Sequence, residues 1–426
     1  MLATLRRPNF ALLWCAGLIS LIGDRAMMTA LPFYVYQQTG ATLATAALFT
    51  AAYLPMVLLG SVAGVFVDRW DRKRIMVLTN LIQAFVMLLL LLTHSSAWLW
   101  LVLLVAFVET SVAMFFGPAE RALLPRLVRE DQLIPANALA GLNDNIARLA
   151  GPPIGGALLG FLGLGSVAIV DSASFLIAAV LISLISVSSR PPRDQVDVTD
   201  AVVSSWLRVW REWLDGLKVV RNDRLIAALF VVLGVTSLGG TIIDPLYAPF
   251  VRSVLHGGAA ALGWLSTTGA LGGLLGGLIV GQLGRKVPPR HLTSVGTVVV
   301  GLLMLVMYNQ TSLPVVMVLG FVMTVPVVGA GVGSSTLLQT GVPDAYRGRV
   351  FGALNTTAAL VGLAGVGLAG IFGDLLGIVP MLSVAGGITL LAGVIALVIL
   401  PKGKAHSELA AASRLKGDST ARPMRA

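Results

Sequence analysis

The residues in this chain that could do chemistry are the few ionisable side chains inside otherwise apolar runs. Asp24 and Arg25 lie side by side, about fourteen residues into the first apolar run, roughly 21 Å along a helix axis. Glu109 falls near the middle of the fourth run, and Asp144 and Arg148 lie in the fifth. Asp171 and Asp244 come nearer the outer ends of the sixth and seventh. Charge is costly in such surroundings, so each of these groups is expected to face a cavity or a partner. A carboxylate among apolar side chains can take up and release a proton, and Asp24 is the leading candidate for that role. Asp144 and Arg148 are four residues apart, share a helical face and are spaced to pair. Glu109 and Arg148 are expected to meet in the interior, as a working pair or as a purely structural one. Arg25 has a second option, reaching the outer headgroups with its long stem. Asp171 and Asp244 have one too, capping helix ends at the interface.

Enzyme chemistry finds no foothold. There is no G-x-x-x-x-G-K-[ST] run for nucleotide phosphates, and glycine runs such as Gly272-Gly273-Leu274-Leu275-Gly276-Gly277 have no following lysine. Four scattered histidines and the single Cys15 make no metal site. Neither an enzyme activity nor a cofactor is expected, and no disulfide can form within the chain. Cys15 reads as a small packing residue.

The elements that position these charges are membrane spans. Of 426 residues, 56% are hydrophobic and 12% charged. A soluble protein carries about 25% charged residues, so most of this surface must face lipid. Spans of about 20 apolar residues are expected at 10–35, 43–67, 75–93, 97–117, 137–161, 166–188, 225–250, 260–283, 291–308, 313–335, 349–373 and 378–400. The first is as long as a full span and no clear A-x-A site follows it, so no cleaved signal peptide is expected. The stretch 189–224 reads as linker, with an amphipathic surface helix carrying Trp206, Trp210, Trp213 and Leu217 at helical spacing. The tail 401–426 is polar and basic.

All but three of the 30 lysines and arginines fall on one side of this arrangement, the exceptions being Arg25, Arg148 and Arg252. The positive-inside rule puts that side, and both termini, in the cytoplasm. The net charge of +10 is then a topology signal, and nucleic acid is not an expected partner. The halves also repeat. Pro32, Tyr34, Gly64, Arg72 and Lys73 recur 213 positions later as Pro245, Tyr247, Gly277, Arg285 and Lys286, and Asn143 recurs as Asn355. Such a repeat means two six-helix bundles related by an axis along the membrane normal. The expected domains are 1–188, a linker 189–224, 225–400, and the tail.

The stretch Gly64-Val65-Phe66-Val67-Asp68-Arg69-Trp70-Asp71-Arg72-Lys73-Arg74 packs four cations into six residues between spans two and three. Read alone, it is a tight basic turn that sets topology. Its G-x-x-x-D-R-x-x-R-K pattern resembles the signature loop of the major facilitator superfamily, with Asp71 where that family usually has glycine. The resemblance implies a conformational latch formed by Gly64, Asp68, Arg69, Arg72 and Lys73. Gly281 stands at the repeat position of Asp68, so the latch belongs to the first half only.

Gly151-Pro152-Pro153-Ile154-Gly155-Gly156 resembles the GP-x-x-GG motif of drug–proton antiporters, with Ala147 where the fuller motif has glycine. An ordinary kinked helix is the alternative. Phe116-Gly117-Pro118-Ala119, Leu123-Leu124-Pro125, Ala136-Asn137-Ala138-Leu139, Asp171-Ser172-Ala173-Ser174-Phe175 and Arg347-Gly348-Arg349-Val350 resemble the macrolide-efflux and siderophore-exporter branch. The resemblance implies an all-α, twelve-span fold whose helices 1, 4 and 5 line a central cavity, bringing Asp24, Glu109 and Arg148 together. It implies a monomeric, proton-coupled efflux transporter of amphipathic small molecules in the plasma membrane. A lysophospholipid flippase of the same fold, or a membrane sensor that does not transport, are the alternatives.

Overall fold

The computed structural model describes residues 2–187, 213–214, 217–218, 220–221, 223–284, 286–342 and 346–401, with the side chains of 2–3, 60–65, 68, 283 and 347–349 excepted. The expectations for Asp68, Trp206, Trp210, Arg285 and the 402–426 tail lie outside the described residues or side chains.

After a single helical turn, Leu2–Leu5, the described chain forms twelve long helices and no strand. They are α1 Pro8–Thr39, α2 Thr42–Arg69, α3 Arg72–Leu88, α4 Leu99–Leu127, α5 Leu133–Leu162 and α6 Leu164–Ser183, then α7 Arg224–Pro249, α8 Ala259–Leu283, α9 Pro289–Met307, α10 Leu313–Gly341, α11 Arg347–Leu376 and α12 Ile378–Ile399. The protein is an all-α, multi-pass membrane protein. Eleven of these helices are long and apolar enough to cross a membrane, against the twelve expected. The one that falls short is α5, whose sequence holds Asn137, Asn143, Asp144, Asn145 and Arg148. It lies packed against α1 and α8, where Asn143 and Asp144 meet α1 and Asn145 and Arg148 face the cavity, so the helix needs less apolar surface than a lipid-exposed one.

Local chemistry sets the joints. Asp71, the departure from the family pattern, is the N-cap of α3 and accepts the Arg74 N–H at 3.0 Å. Asp223 caps α7 by accepting from Leu225 at 2.8 Å and Ile226 at 3.0 Å. Gly163 (φ 80°) turns α5 into α6, and Gly377 (φ 96°) turns α11 into α12 in the second half. Only glycine takes this left-handed backbone without strain.

Packing repeats with the sequence. Within the first six helices the principal neighbours are α1–α5, α1–α6, α2–α4, α3–α4 and α3–α6; α7–α11, α7–α12, α8–α10, α9–α10 and α9–α12 repeat them one for one. The two most extensive pairings between the halves are α5–α8 and α2–α11.

The apolar core shows where the halves meet. One buried cluster joins Leu48, Leu101 and Leu159 to Ile242, Leu262 and Met381, so it includes both halves. It runs from mid-depth toward the face where α1 ends and α2 begins, here the distal face. At the opposite, basic face there are two separate clusters. One holds Phe10, Leu123 and Ile182 of the first half, the other Ile226, Leu338 and Val350 of the second. The bundles are fused distally and parted at the basic face.

Trp213 and Leu217 differ from the surface-helix expectation. Both pack against the second half's basic-face cluster, and the Trp213 indole N–H donates to Thr357 Oγ1 at 3.1 Å. The indole's donor finds a protein acceptor there, so this residue is docked on the bundle.

Candidate transport site

Between the halves lies a cavity of about 710 Å³. The first half contributes Arg25, Asn145, Arg148 and Pro152, and the second Asp244, Tyr247, Ser266 and Tyr308, among apolar side chains such as Met28, Phe49, Met307 and Met323.

The wall formed by α1 and α5 depends on the glycine–proline motif. At Gly151 a side chain would collide with the Arg25 Cβ and the Ile22 carbonyl, and at Gly155 with the Ala26 carbonyl, so both glycines let α1 lie against α5. Gly156 faces the Ala259 carbonyl on α8, and Gly263 on α8 faces the Pro152 carbonyl in return. Pro153 has no N–H for the Leu149 carbonyl four residues back. Thr267 of α8 donates its hydroxyl to that carbonyl at 3.2 Å. The motif is thus a seam between the halves.

The ionisable groups separate into two sets. Arg25 and Arg148 line the cavity; Asp24 and Glu109 do not. Successive residues on a helix point about 100° apart, so α1 presents Arg25 to the cavity and Asp24 to the interior of the first bundle. There Asp24 lies within electrostatic reach of Glu109 and Asp171. Asp171 is 1% exposed, and its carboxylate packs against the α1 backbone at Gly23, where any side chain would clash with Oδ1. Its Oδ1 accepts from Ser174 Oγ at 3.4 Å, and its Oδ2 is buried without a hydrogen bond. Glu109 accepts from Gln83 Nε2 on α3 at 3.2 Å. Three carboxylates from α1, α4 and α6 therefore form one internal cluster.

Several expected pairings are replaced. Glu109 and Arg148 form no ion pair, because Glu109 turns to Gln83 inside the bundle while Arg148 faces the cavity. Asp144 pairs with Arg25 of α1 at 3.5 Å and not with Arg148 on its own helix. Arg25 accordingly points into the cavity wall and not to the outer headgroups. The convergence of Asp24, Glu109 and Arg148 is corrected to two separate sites, one on each side of α1. Neither Asp171 nor Asp244 caps a helix: Asp171 is internal, and Asp244 accepts the Tyr53 hydroxyl at 2.7 Å, a bond from α2 to α7 across the halves.

Of the loop residues, Arg72 donates to the Ala122 carbonyl at 3.1 Å and Lys73 to the Ile185 carbonyl at 2.7 Å. Both bonds tie the start of α3 to neighbours in its own half.

Sequence reasoning missed Gln83, Tyr53 and Thr267. Gln83 had a signal, a polar residue in an apolar span three positions after Asn80. The Leu149 carbonyl freed by Pro153 predicted some donor, but not which helix would supply it. Tyr53 had no signal, because only the approach of α7 gives its hydroxyl a partner.

A family model described as transmembrane secretion effector matches residues 1–424. Macrolide efflux protein A of Streptococcus pyogenes is 24% identical over 374 residues, covering 87% of this chain and 90% of that protein. The multidrug efflux pump Tap of Mycobacterium tuberculosis is 28% identical over 391 residues, covering 88% of each. Among solved structures, a bacterial homologue of the iron transporter ferroportin in an inward-facing state superposes with a TM-score of 0.74 at 16% identity, covering 92% of this chain and 99% of that one. The nucleoside transporter NupG superposes with a TM-score of 0.73 at 12% identity, covering 92% and 100%. At these identities the structural likeness speaks for the fold alone.

Proposed function

Because the chain belongs to the transmembrane secretion effector family of major facilitator transporters, we propose that it exports amphipathic small molecules by alternating access, driven by inward proton movement. It is a transporter and not an enzyme. The observation that carries the reading is the arrangement of apolar cores: one fused core on the distal side and two separate ones on the basic side, around a central cavity. Rocking the halves about mid-depth would exchange which side is fused. The charge asymmetry supports placing the basic face and both termini on the cytoplasmic side of the plasma membrane. The conformation seen is then inward-open, ready to load cargo.

In this reading Asp24, Glu109 and Asp171 carry the proton. Their protonation acts on α1, whose next residue, Arg25, faces the cargo cavity. The relatives named as macrolide and multidrug efflux pumps support a drug-like cargo. The functional units are 1–188 and 225–400, joined by 189–224 and working as a monomer. Asp68, with Arg69, Arg72 and Lys73, forms the latch on the cytoplasmic face.

The test is transport in proteoliposomes with an imposed pH gradient, wild type beside empty vesicles. Cargo movement that is saturable and stops when the gradient is dissipated supports the reading; movement indifferent to the gradient refutes the coupling. A second reading, a lipid carrier, draws on one observation. An almost wholly apolar groove of about 670 Å³ lies between α2, α4 and α11, lined by Leu54, Trp100, Phe107 and Ile371. Movement of a labelled lysophospholipid without a gradient would favour it.

A further inference from the structure

We propose that the central cavity selects amphipathic cargo bearing an anionic group, a carboxylate or a phosphate, held by Arg148 with help from Arg25. The inference rests on the transport reading and names the charge class of its cargo.

The two guanidinium-bearing residues share a wall. The Arg25 stem is seated over Gly151, and Gly151 lies one helical turn beyond Arg148 on α5. Arg25 is incompletely satisfied: its Nη2 reaches Asp144 only at 3.5 Å, its Nη1 reaches the Met28 sulfur at 3.7 Å, and its Nε is buried without a partner. Arg148 is exposed to the cavity and has no ion pair among the described residues. Across the cavity, Asp244 accepts the Tyr53 hydroxyl and supplies a carboxylate to the described lining. The carboxylates of Asp24, Glu109 and Asp171, which would have attracted a cation, sit behind α1 and off the lining. The described lining therefore sets two guanidinium groups against one carboxylate, and Arg148 is the cation left without an ion pair.

An unpaired guanidinium at this depth is costly until a counter-charge arrives. Its planar fork takes a carboxylate or phosphate through two parallel hydrogen bonds. Around it, Phe49, Leu262, Met307 and Met323 suit an apolar body. Asn145, Ser266 and Tyr247 add neutral polar contacts.

Two fluorescent probes with the same aromatic body test the charge preference. Dansylglycine carries a carboxylate and dansylcholine a quaternary ammonium. Binding is measured with the full chain in phosphatidylcholine nanodiscs, without any gradient. Wild type is expected to bind dansylglycine at least about tenfold more tightly. Arg148→Gln should remove most of that preference, Arg148→Lys should keep part of it, and Arg148→Glu should reverse it. Should a variant fail to fold, competition on wild type alone decides: octanoate should displace dansylglycine and octylammonium should not. Equal or tighter binding of dansylcholine, a preference untouched by Arg148→Gln, or no saturable dansylglycine binding would each overturn the proposal. Charge-selective binding with no gradient-driven movement in vesicles sinks the exporter reading and leaves this site standing. Driven movement of cargo with no charge preference does the reverse.

Discussion

The carboxylate of Asp374, near the end of α11, accepts the backbone N–H groups of Thr42 at 2.7 Å and Leu43 at 3.1 Å, the first two residues of α2. The N-cap position of α2 is Ala41, which has no side chain able to cap. The second half thus caps a helix of the first, and Thr42 Oγ1 returns a bond to the Gly370 carbonyl at 3.0 Å. This clasp joins the two halves at the distal face. Asp374→Asn removes the charge that the helix N-terminus favours, a change of about 1 kcal/mol, or about fivefold in population. A cysteine at Ala46, buried beneath Gly370, in a Cys15→Ser background reports opening. Its alkylation by an impermeant reagent should speed up about fivefold in Asp374→Asn. An unchanged rate means the clasp does not hold the gate.

Asp24→Asn mimics a permanently protonated carboxylate. It is expected to abolish accumulation driven by a pH gradient and to leave downhill exchange of cargo partly intact. Asp24→Glu should retain some coupling with a shifted pH dependence. Fully driven uptake by Asp24→Asn would remove Asp24 as the proton site, and Glu109→Gln and Asp171→Asn are the variants to compare next.

Gly156→Ala should hinder closure of the distal face. The added methyl meets the Ala259 carbonyl of the other half, which cannot move without shifting α8. Gly160→Ala, on the same helix with open space around it, is the matched control. Transport should fall several-fold in the first at normal abundance and stay near wild type in the second. Equal behaviour of the two would show that the close approach at Gly156 is not needed in the cycle.

Asp68→Asn should impair transport and leave membrane abundance near normal. Losing this charge shifts the balance between the two open states without removing a cargo contact. Wild-type transport rates in this variant would leave the basic loop with its topological role only.

Span number and pseudo-symmetry follow from patterns that are local in sequence, and so does the expectation of which face meets the cytoplasm. Apolar run length, the side on which lysine and arginine fall, and the recurrence of Pro32 and Tyr34 as Pro245 and Tyr247 need no knowledge of packing. The same locality singles out the candidate charges, since Asp24, Arg25, Glu109, Arg148 and Asp171 are conspicuous among apolar neighbours. It could not say who meets whom. Helix rotation about its own axis decides that Arg25 faces the cavity while Asp24 faces Glu109 and Asp171. That rotation is set by glycine contacts such as Gly23 against Asp171 and Gly151 against Arg25. Partners far apart in sequence, Tyr53 with Asp244 and Thr42 with Asp374, exist only once α2 has been laid against α7 and α11. Hydropathy specifies depth in the membrane. Only side-chain packing between helices specifies azimuth, and in this protein azimuth separates the carboxylate cluster from the arginine-lined cavity.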